Sequence, residues 1–369
     1  MSVPILQFGT GRLLQAHVDL FVADARRAGQ DAGPVAVVQT TDTPDARRRV
    51  DALKTGRPFP VRVQGTAGGR TVDETVMVDA VTAALHASDE WPDVRRLFLD
   101  ARWIVSNTAD RGYEIAPDER VDDPVPRSFP AKLLRLLHER WRAGAGAAAP
   151  VLLPLELVPE NGAVLRRTVV GLARRWGVEA AAVDWMDGAC LWTDSLVDRI
   201  VSAGLDPVGA VAEPYALWAM QDAPGFAPPC RHPAVVVTDD LRPYERLKLF
   251  ILNLGHSWMA GRWQADPAAW PDTVGAAMAD PACRAALIDL YTQEIVPIFA
   301  AAGMGPRADA YVVEVVDRFA NPFLAHRFAD IATNHAAKVA RRAGGLADFA
   351  AEVGHPGLGP RLRALMGSV

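Results

Sequence analysis

The stretch Val3-Pro4-Ile5-Leu6-Gln7-Phe8-Gly9-Thr10-Gly11 decides how this chain begins to fold. An apolar run of strand length ends in two glycines one residue apart. A helical pattern follows over 13–27, and then a second apolar run, Val35-Ala36-Val37-Val38. Strand, glycine turn, helix and strand in that order predict the βαβ unit that opens a nucleotide-binding fold. Gly9 and Gly11 lack a Cβ, so the backbone can approach a pyrophosphate at a helix N-terminus. Leu14 stands where a third glycine is usual, which leaves a tight turn without cofactor as the alternative reading.

Outward from this unit, Trp103-Ile104-Val105 and Val151-Leu152-Leu153 are further short apolar runs separated by helical patterns such as 131–142. Alternation of this kind predicts an α/β fold: a Rossmann-type parallel-sheet domain over 1–200 and a mainly α-helical domain over 201–369. One β-branched run in the second half, Ala234-Val235-Val236-Val237-Thr238, is expected to return as a strand to the first domain. The glycine- and alanine-rich stretch 144–149 reads as a linker.

With 369 residues, 50% hydrophobic and 22% charged, the chain has room for two such domains, each with a core. A formal net charge of -5 gives no basic field to attract nucleic acid, so a small molecule is the expected partner. Cys190, Cys230 and Cys283 form no CxxC pair and suit a reducing compartment. Neither a signal peptide nor a membrane span is indicated, so a cytoplasmic monomer or small homo-oligomer is expected.

Phe8, Gly9, Thr10, Gly11 and Arg12 form the expected cofactor turn, with Thr41 and Asp42 just beyond the second strand. Asp42 is placed either to hold an adenosine ribose or to cap a helix or turn. NAD and NADP both remain open, with NAD favoured. Ser106-Asn107-Thr108 follows a strand's carboxyl end, where ligands sit in open α/β sheets; an ordinary Asx-turn is the alternative.

Residues 244–260 read as one helix, opened by Asp240 and Pro243. Lys248, Asn253 and His256 stand among its apolar residues. At α-helical spacing they project within an arc of roughly 140°. Alcohol oxidation needs a base for the hydroxyl proton while a hydride leaves, and carbonyl reduction needs the same group as an acid. Lys248, desolvated by apolar neighbours, suits that role; Asn253 can donate to a developing alkoxide; His256 can orient hydroxyls. Such hydride transfer needs no metal. On helix geometry alone the alternative stays open: a lysine at the helix edge, an asparagine at a kink near Gly255 and a core histidine.

These residues resemble the polyol-specific long-chain dehydrogenases and reductases of the mannitol dehydrogenase family. Gln7-Phe8-Gly9-Thr10-Gly11 through Gln15-Ala16-His17 is similar to the family's GxGxFxRAH opening, and 106–113 resembles its SNTTExGY loop. Phe129-Pro130-Ala131-Lys132-Leu133 resembles FPxKL. Glu156-Leu157-Val158-Pro159-Glu160-Asn161-Gly162 resembles ELIxxNG, 195–200 the VDRI element, and Lys248-x4-Asn253-x2-His256 the catalytic K-x4-N-x2-H. The resemblance implies Lys248 as acid/base, Asn253 as oxyanion partner and His256 as substrate contact. It also implies substrate contacts at Asn161, Arg318 and His326. Asp198, Arg199 and Lys338 either touch substrate or serve structure. Leu157 stands where mannitol 2-dehydrogenases carry a second oxyanion asparagine, which tilts the reading toward a keto-sugar acid of the fructuronate or tagaturonate kind. A mannitol or arabinitol dehydrogenase and a non-catalytic dinucleotide sensor are the competing functions.

Overall fold

A computed structural model of the chain describes residues 3–108, 112–144 and 148–368. Ala109, Asp110 and Arg111 of the loop motif, and Ala145, Gly146 and Ala147 of the linker-like stretch, lie outside the described residues.

Six strands form one sheet in the order Val81–His86, Val35–Gln39, Ile5–Phe8, Trp103–Ser106, Val151–Pro154, Leu191–Trp192, and every neighbouring pair is parallel. Numbered in chain order within the sheet, this is 3-2-1-4-5-6, the Rossmann arrangement. The strand order reverses between Ile5–Phe8 and Trp103–Ser106, so the crevice that takes a ligand opens at their carboxyl ends, beyond Phe8 and Ser106. Ile5–Phe8 and Val35–Gln39 are buried along their whole length. A parallel sheet covered on both faces calls for such continuous apolar runs rather than alternation.

Local chemistry sets the flanking helices. Thr43 accepts from the N–H of Ala46 (3.2 Å) and caps Pro44–Lys54; Ser128 accepts from Ala131 (3.4 Å) and caps Phe129–Arg142. In both helices a proline in the first turn occupies a position whose N–H needs no partner. Leu133, Leu134, Leu136 and Leu137 then pack into the core with Ile104, Leu152 and Val169.

The chain divides into two compact units: 1–62, 75–212 and 216–241 in the first, and 63–74, 213–215 and 242–369 in the second. The first unit continues well past residue 200. Ser195–Asp198 pairs antiparallel with Leu217–Gln221, which pairs parallel with Val235–Thr238, so the β-branched run at 234–238 joins a separate three-stranded sheet rather than the parallel one. A four-stranded sheet, Val201–Gly204, Ala210–Ala212, Phe59–Ala67 and Arg70–Val78, was not legible in the sequence. The second unit is mainly helical beyond Arg242, with a core built on Phe250, Ile251, Trp258, Tyr291, Phe299 and Phe328. Among the described residues no helix is long and apolar enough to cross a membrane.

Candidate active site

At the end of the first strand Gly9 adopts φ 123°, a backbone conformation that L side chains rarely take. A Cβ there would lie 2.8 Å from the carbonyl oxygen of Asn107 and 2.9 Å from Leu14 Cδ1. This glycine lets the chain turn against the neighbouring strand's end at the sheet's reversal. Leu14, in the place of a third glycine, is fully buried core. Gly11 differs: its φ is -69° at the helix cap, and among the described residues a Cβ would meet no atom within 4 Å beyond its chain neighbours. The protein's own packing does not require Gly11 to be glycine, whereas close approach of a dinucleotide's pyrophosphate does. The turn therefore fits the cofactor.

Side chains hold this turn in shape. Gln15 donates to the Thr10 carbonyl (2.8 Å) and accepts from the N–H of Gly209 (2.8 Å). Thr10 donates its hydroxyl to Gln39 Oε1 and accepts from Arg49 Nε (3.4 Å), while Gln39 donates to Thr41 Oγ1 (2.5 Å). Phe8 packs its ring on Phe129, 5.3 Å between centroids. Exposed Arg12 lines a cavity of about 350 Å³ together with Gly11 and Arg49. Asp42 is exposed and pairs with Arg47 (2.6 Å), which holds its carboxyl below the usual range. It caps no helix, since that work falls to Thr43.

Across the sheet reversal the Ser106-Asn107-Thr108 loop is organised by Glu156, a residue quoted in the motif reading but given no role there. Its buried carboxylate accepts from Ser106 Oγ (3.1 Å), Thr108 N (3.0 Å), Thr108 Oγ1 (2.9 Å) and Tyr113 Oη (3.0 Å). Asn107 donates to the Leu155 carbonyl (2.9 Å). Asn161 is engaged by the protein itself. Its amide donates to the carbonyls of Pro154 (3.1 Å), Glu156 (3.1 Å) and Ser195 (3.0 Å), and its Oδ1 accepts from Gly162 and Ser195 (both 2.9 Å). With these bonds made and 1% exposure, this side chain ties three segments together. Leu157, by contrast, is 70% exposed.

In the second unit the predicted helix is α-helical over Arg242–Leu247 and again over Leu254–Ala265, with a π-helical turn, Lys248–Asn253, between them. The N–H of Leu254 reaches the carbonyl of Leu249, five residues back. Uniform α-helical spacing therefore overstates the angle between Lys248 and Asn253, because a turn closed over five residues stacks such a pair on one face. Both side chains are half-buried. His256, 8% exposed, lies against Phe319 (4.3 Å between centroids) and edge-on to His326 (4.8 Å). Tyr291 donates to the Ile251 carbonyl inside the π-turn (3.0 Å). A Cβ on Gly255 would lie 1.9 Å from that hydroxyl, so the glycine makes room for the tyrosine rather than marking a kink at Asn253.

A family model described as the mannitol dehydrogenase Rossmann domain matches residues 3–229, and one described as the mannitol dehydrogenase C-terminal domain matches residues 240–343. The chain belongs to the mannitol dehydrogenase family. It is similar to the altronate oxidoreductase of Bacillus subtilis (strain 168), 29% identical over 368 residues, covering 92% of this chain and 73% of the relative. Among solved structures, a D-sorbitol dehydrogenase in substrate-free form superposes with a TM-score of 0.82 at 19% identity, covering 96% of this chain and 77% of the other. A Pseudomonas fluorescens mannitol 2-dehydrogenase in ternary complex with NAD and D-mannitol gives 0.73 at 18% identity, covering 100% and 78%.

The mannitol dehydrogenase resemblance also implies a substrate contact at Arg318, a side chain that the protein itself engages. Arg318 donates from Nε and Nη2 to both carboxylate oxygens of Glu213 (2.9 and 2.8 Å), from Nη1 to Tyr311 Oη (3.3 Å), and lies over the Tyr215 ring (4.2 Å). With each side chain 2% exposed, the fork is used inside the protein. Likewise Arg199 donates to the Ala16 carbonyl (2.6 Å), and Asp198 is buried. His326 stays beside His256, its pKa lowered by burial, with Lys338 also lowering it and Asp330 opposing. Lys338 donates to the Ile331 carbonyl (2.8 Å); Arg342, which the sequence reading passed over, donates to the Asn253 carbonyl (2.9 Å) and to Ser257 Oγ (2.7 Å).

Proposed function

We propose that this mannitol dehydrogenase family member is a metal-independent oxidoreductase that transfers hydride between a nicotinamide dinucleotide and a linear keto-sugar acid of the fructuronate or tagaturonate kind. The observation that carries the reading is the stacking of Lys248 and Asn253 on one π-helical turn with His256 one α-helical turn beyond. The relatives named as altronate oxidoreductases support a sugar acid rather than a neutral polyol.

The cofactor supplies or accepts the hydride when bound, and Gly9, Gly11 and the Ser106-Asn107-Thr108 loop hold it. In the reductive direction Lys248 gives a proton to the carbonyl oxygen as the carbon becomes an alcohol; in oxidation its neutral amine takes the hydroxyl proton. Asn253 donates its amide N–H to the oxygen as negative charge grows there. His256, backed by His326 and Phe319, donates to a neighbouring hydroxyl and fixes which carbon faces the hydride. Three free buried thiols fit a cytoplasmic enzyme.

The test follows the absorbance of reduced NAD and NADP with fructuronate, tagaturonate, fructose and xylulose, for wild type and Lys248→Ala. Oxidation of the reduced cofactor by a uronate, lowered about 10²-fold or more in the variant, is expected. Turnover of neutral ketoses alone moves the protein to the polyol dehydrogenases, and binding of dinucleotide with no turnover makes it a sensor.

A further inference from the structure

The second unit concentrates positive charge beside the helix that carries Lys248, Asn253 and His256. Lys338 and Arg342 lie four residues apart, one in the helix His335–Val339 and one in the π-turn Ala340–Gly344. Both are half-buried, and among the described residues neither is ion-paired; each bonds only neutral oxygens. Arg342 uses Nη1 for the Asn253 carbonyl and Ser257 Oγ, which leaves Nη2 and Nε without a partner among the described residues. Beside them, among the described residues, His335 is 8% exposed with neither ring nitrogen hydrogen-bonded, and His326 has a buried Nδ1 without a partner.

Electrostatics describe the same cluster from another side. Burial first and the Arg342 charge second lower the Lys338 pKa; burial first and Arg341 second push Arg342 down to about 10; burial first, then Lys338 and Arg342, lower His335. Asp330, the acid that acts on His326, is exposed. Removing cations from water without a counter-charge is costly, and the protein itself elsewhere meets a buried arginine with a carboxylate, as Glu213 does for Arg318.

We infer that Arg342, with Lys338 beside it, binds the carboxylate of the substrate and selects sugar acids over neutral sugars. The inference rests on the sugar-acid reading above. A guanidinium fork matches a carboxylate in geometry as well as charge. The same side chain holds the main chain of Asn253, so the group that recognises the acid is tied to the residue placed at the reacting oxygen.

The test compares kcat/KM for a keto-sugar acid and for the neutral ketose of equal chain length in wild type, Arg342→Gln and Arg342→Lys. Calorimetric binding of an aldonate against the corresponding polyol supplies a second readout. Dividing acid by neutral cancels any general loss from disturbing Asn253. The ratio is expected to fall about 10- to 100-fold in Arg342→Gln and less in Arg342→Lys, which keeps the charge without the fork; the lysine variant serves if the glutamine variant does not fold. An unchanged ratio in an enzyme that prefers acids overturns this assignment alone. A wild type that prefers neutral ketoses overturns the sugar-acid reading and this inference with it.

Discussion

Lys248 and Asn253 are the first and last residues of one π-helical turn, closed by the N–H of Leu254 on the carbonyl of Leu249. Single π-turns inside α-helices recur at functional sites, and this one stacks an amine on an amide. Arg342 and Tyr291 each hold a carbonyl of the turn, at Asn253 and Ile251. An amide that acts only on the developing oxyanion contributes to the transition state and little to ground-state binding. Asn253→Ala is therefore expected to lower kcat about 10²- to 10³-fold with a much smaller change in KM. Steady-state kinetics on the preferred substrate measure this, and a raised KM at full kcat would make Asn253 a binding residue instead.

The two glycines of the first turn should separate on substitution. Gly9→Ala forces a side chain into φ 123° and against Asn107, so melting temperature and dinucleotide binding should fall together. Gly11→Ala meets no atom of the described residues within 4 Å beyond its chain neighbours and should leave the melting temperature unchanged while weakening binding of reduced dinucleotide. Thermal unfolding and fluorescence titration read both. Equal binding by wild type and Gly11→Ala would remove the pyrophosphate from that position.

Removing Glu213 takes from the buried Arg318 both carboxylate oxygens to which it donates. Glu213→Ala is expected to cost about 3–5 kcal/mol of stability, measured by urea unfolding. A loss below about 1 kcal/mol, the range of exposed pairs, would mean that the pair is not desolvated in solution.

Asp19 is buried in the first unit with Oδ1 unpartnered among the described residues, and burial pushes its pKa up to about 8, against a hydrogen bond from Gln7 that lowers it. The folded protein keeps this proton until about pH 8, whereas the unfolded chain loses it near 3.8. Between those values the folded state binds more protons, so this group makes stability fall as pH rises. Asp19→Asn should match wild type near pH 4 and gain stability progressively toward pH 8. His17 acts in the opposite sense: buried and lowered from 6.5 to about 3, it makes stability fall as pH drops below 6.5, and that slope should persist in the variant. A wild-type-to-variant difference in melting temperature that does not vary with pH would contradict the raised Asp19 pKa.

Much of the fold was legible because its signals are local. The 3–11 stretch reads as strand and turn because a parallel strand covered on both faces is apolar throughout and because a backbone at φ 123° favours glycine. Lys248, Asn253 and His256 stood out as polar residues at helical spacing in an apolar helix. The hairpin Phe59–Ala67 and Arg70–Val78 was missed because one of its strands, RTVDETVMV, is mostly exposed and has no buried face to impose alternation. The intramolecular partners of Asn161 and Arg318 were not legible, because a polar side chain in a motif looks the same whether its partner is a ligand or the protein.

By itself the sequence determined the βαβ opening, the parallel sheet, the helical second half and the helical spacing of Lys248, Asn253 and His256, since each follows from chain stereochemistry or from the period of apolar residues. Tertiary structure alone decided that Arg318 has a carboxylate 105 residues away while Arg342 has none among the described residues, and that Lys248 and Asn253 share a face. Charge pairing depends on which distant segments meet once the core closes. The hydrogen-bond register of a helix can slip by one residue without changing any letter of the chain.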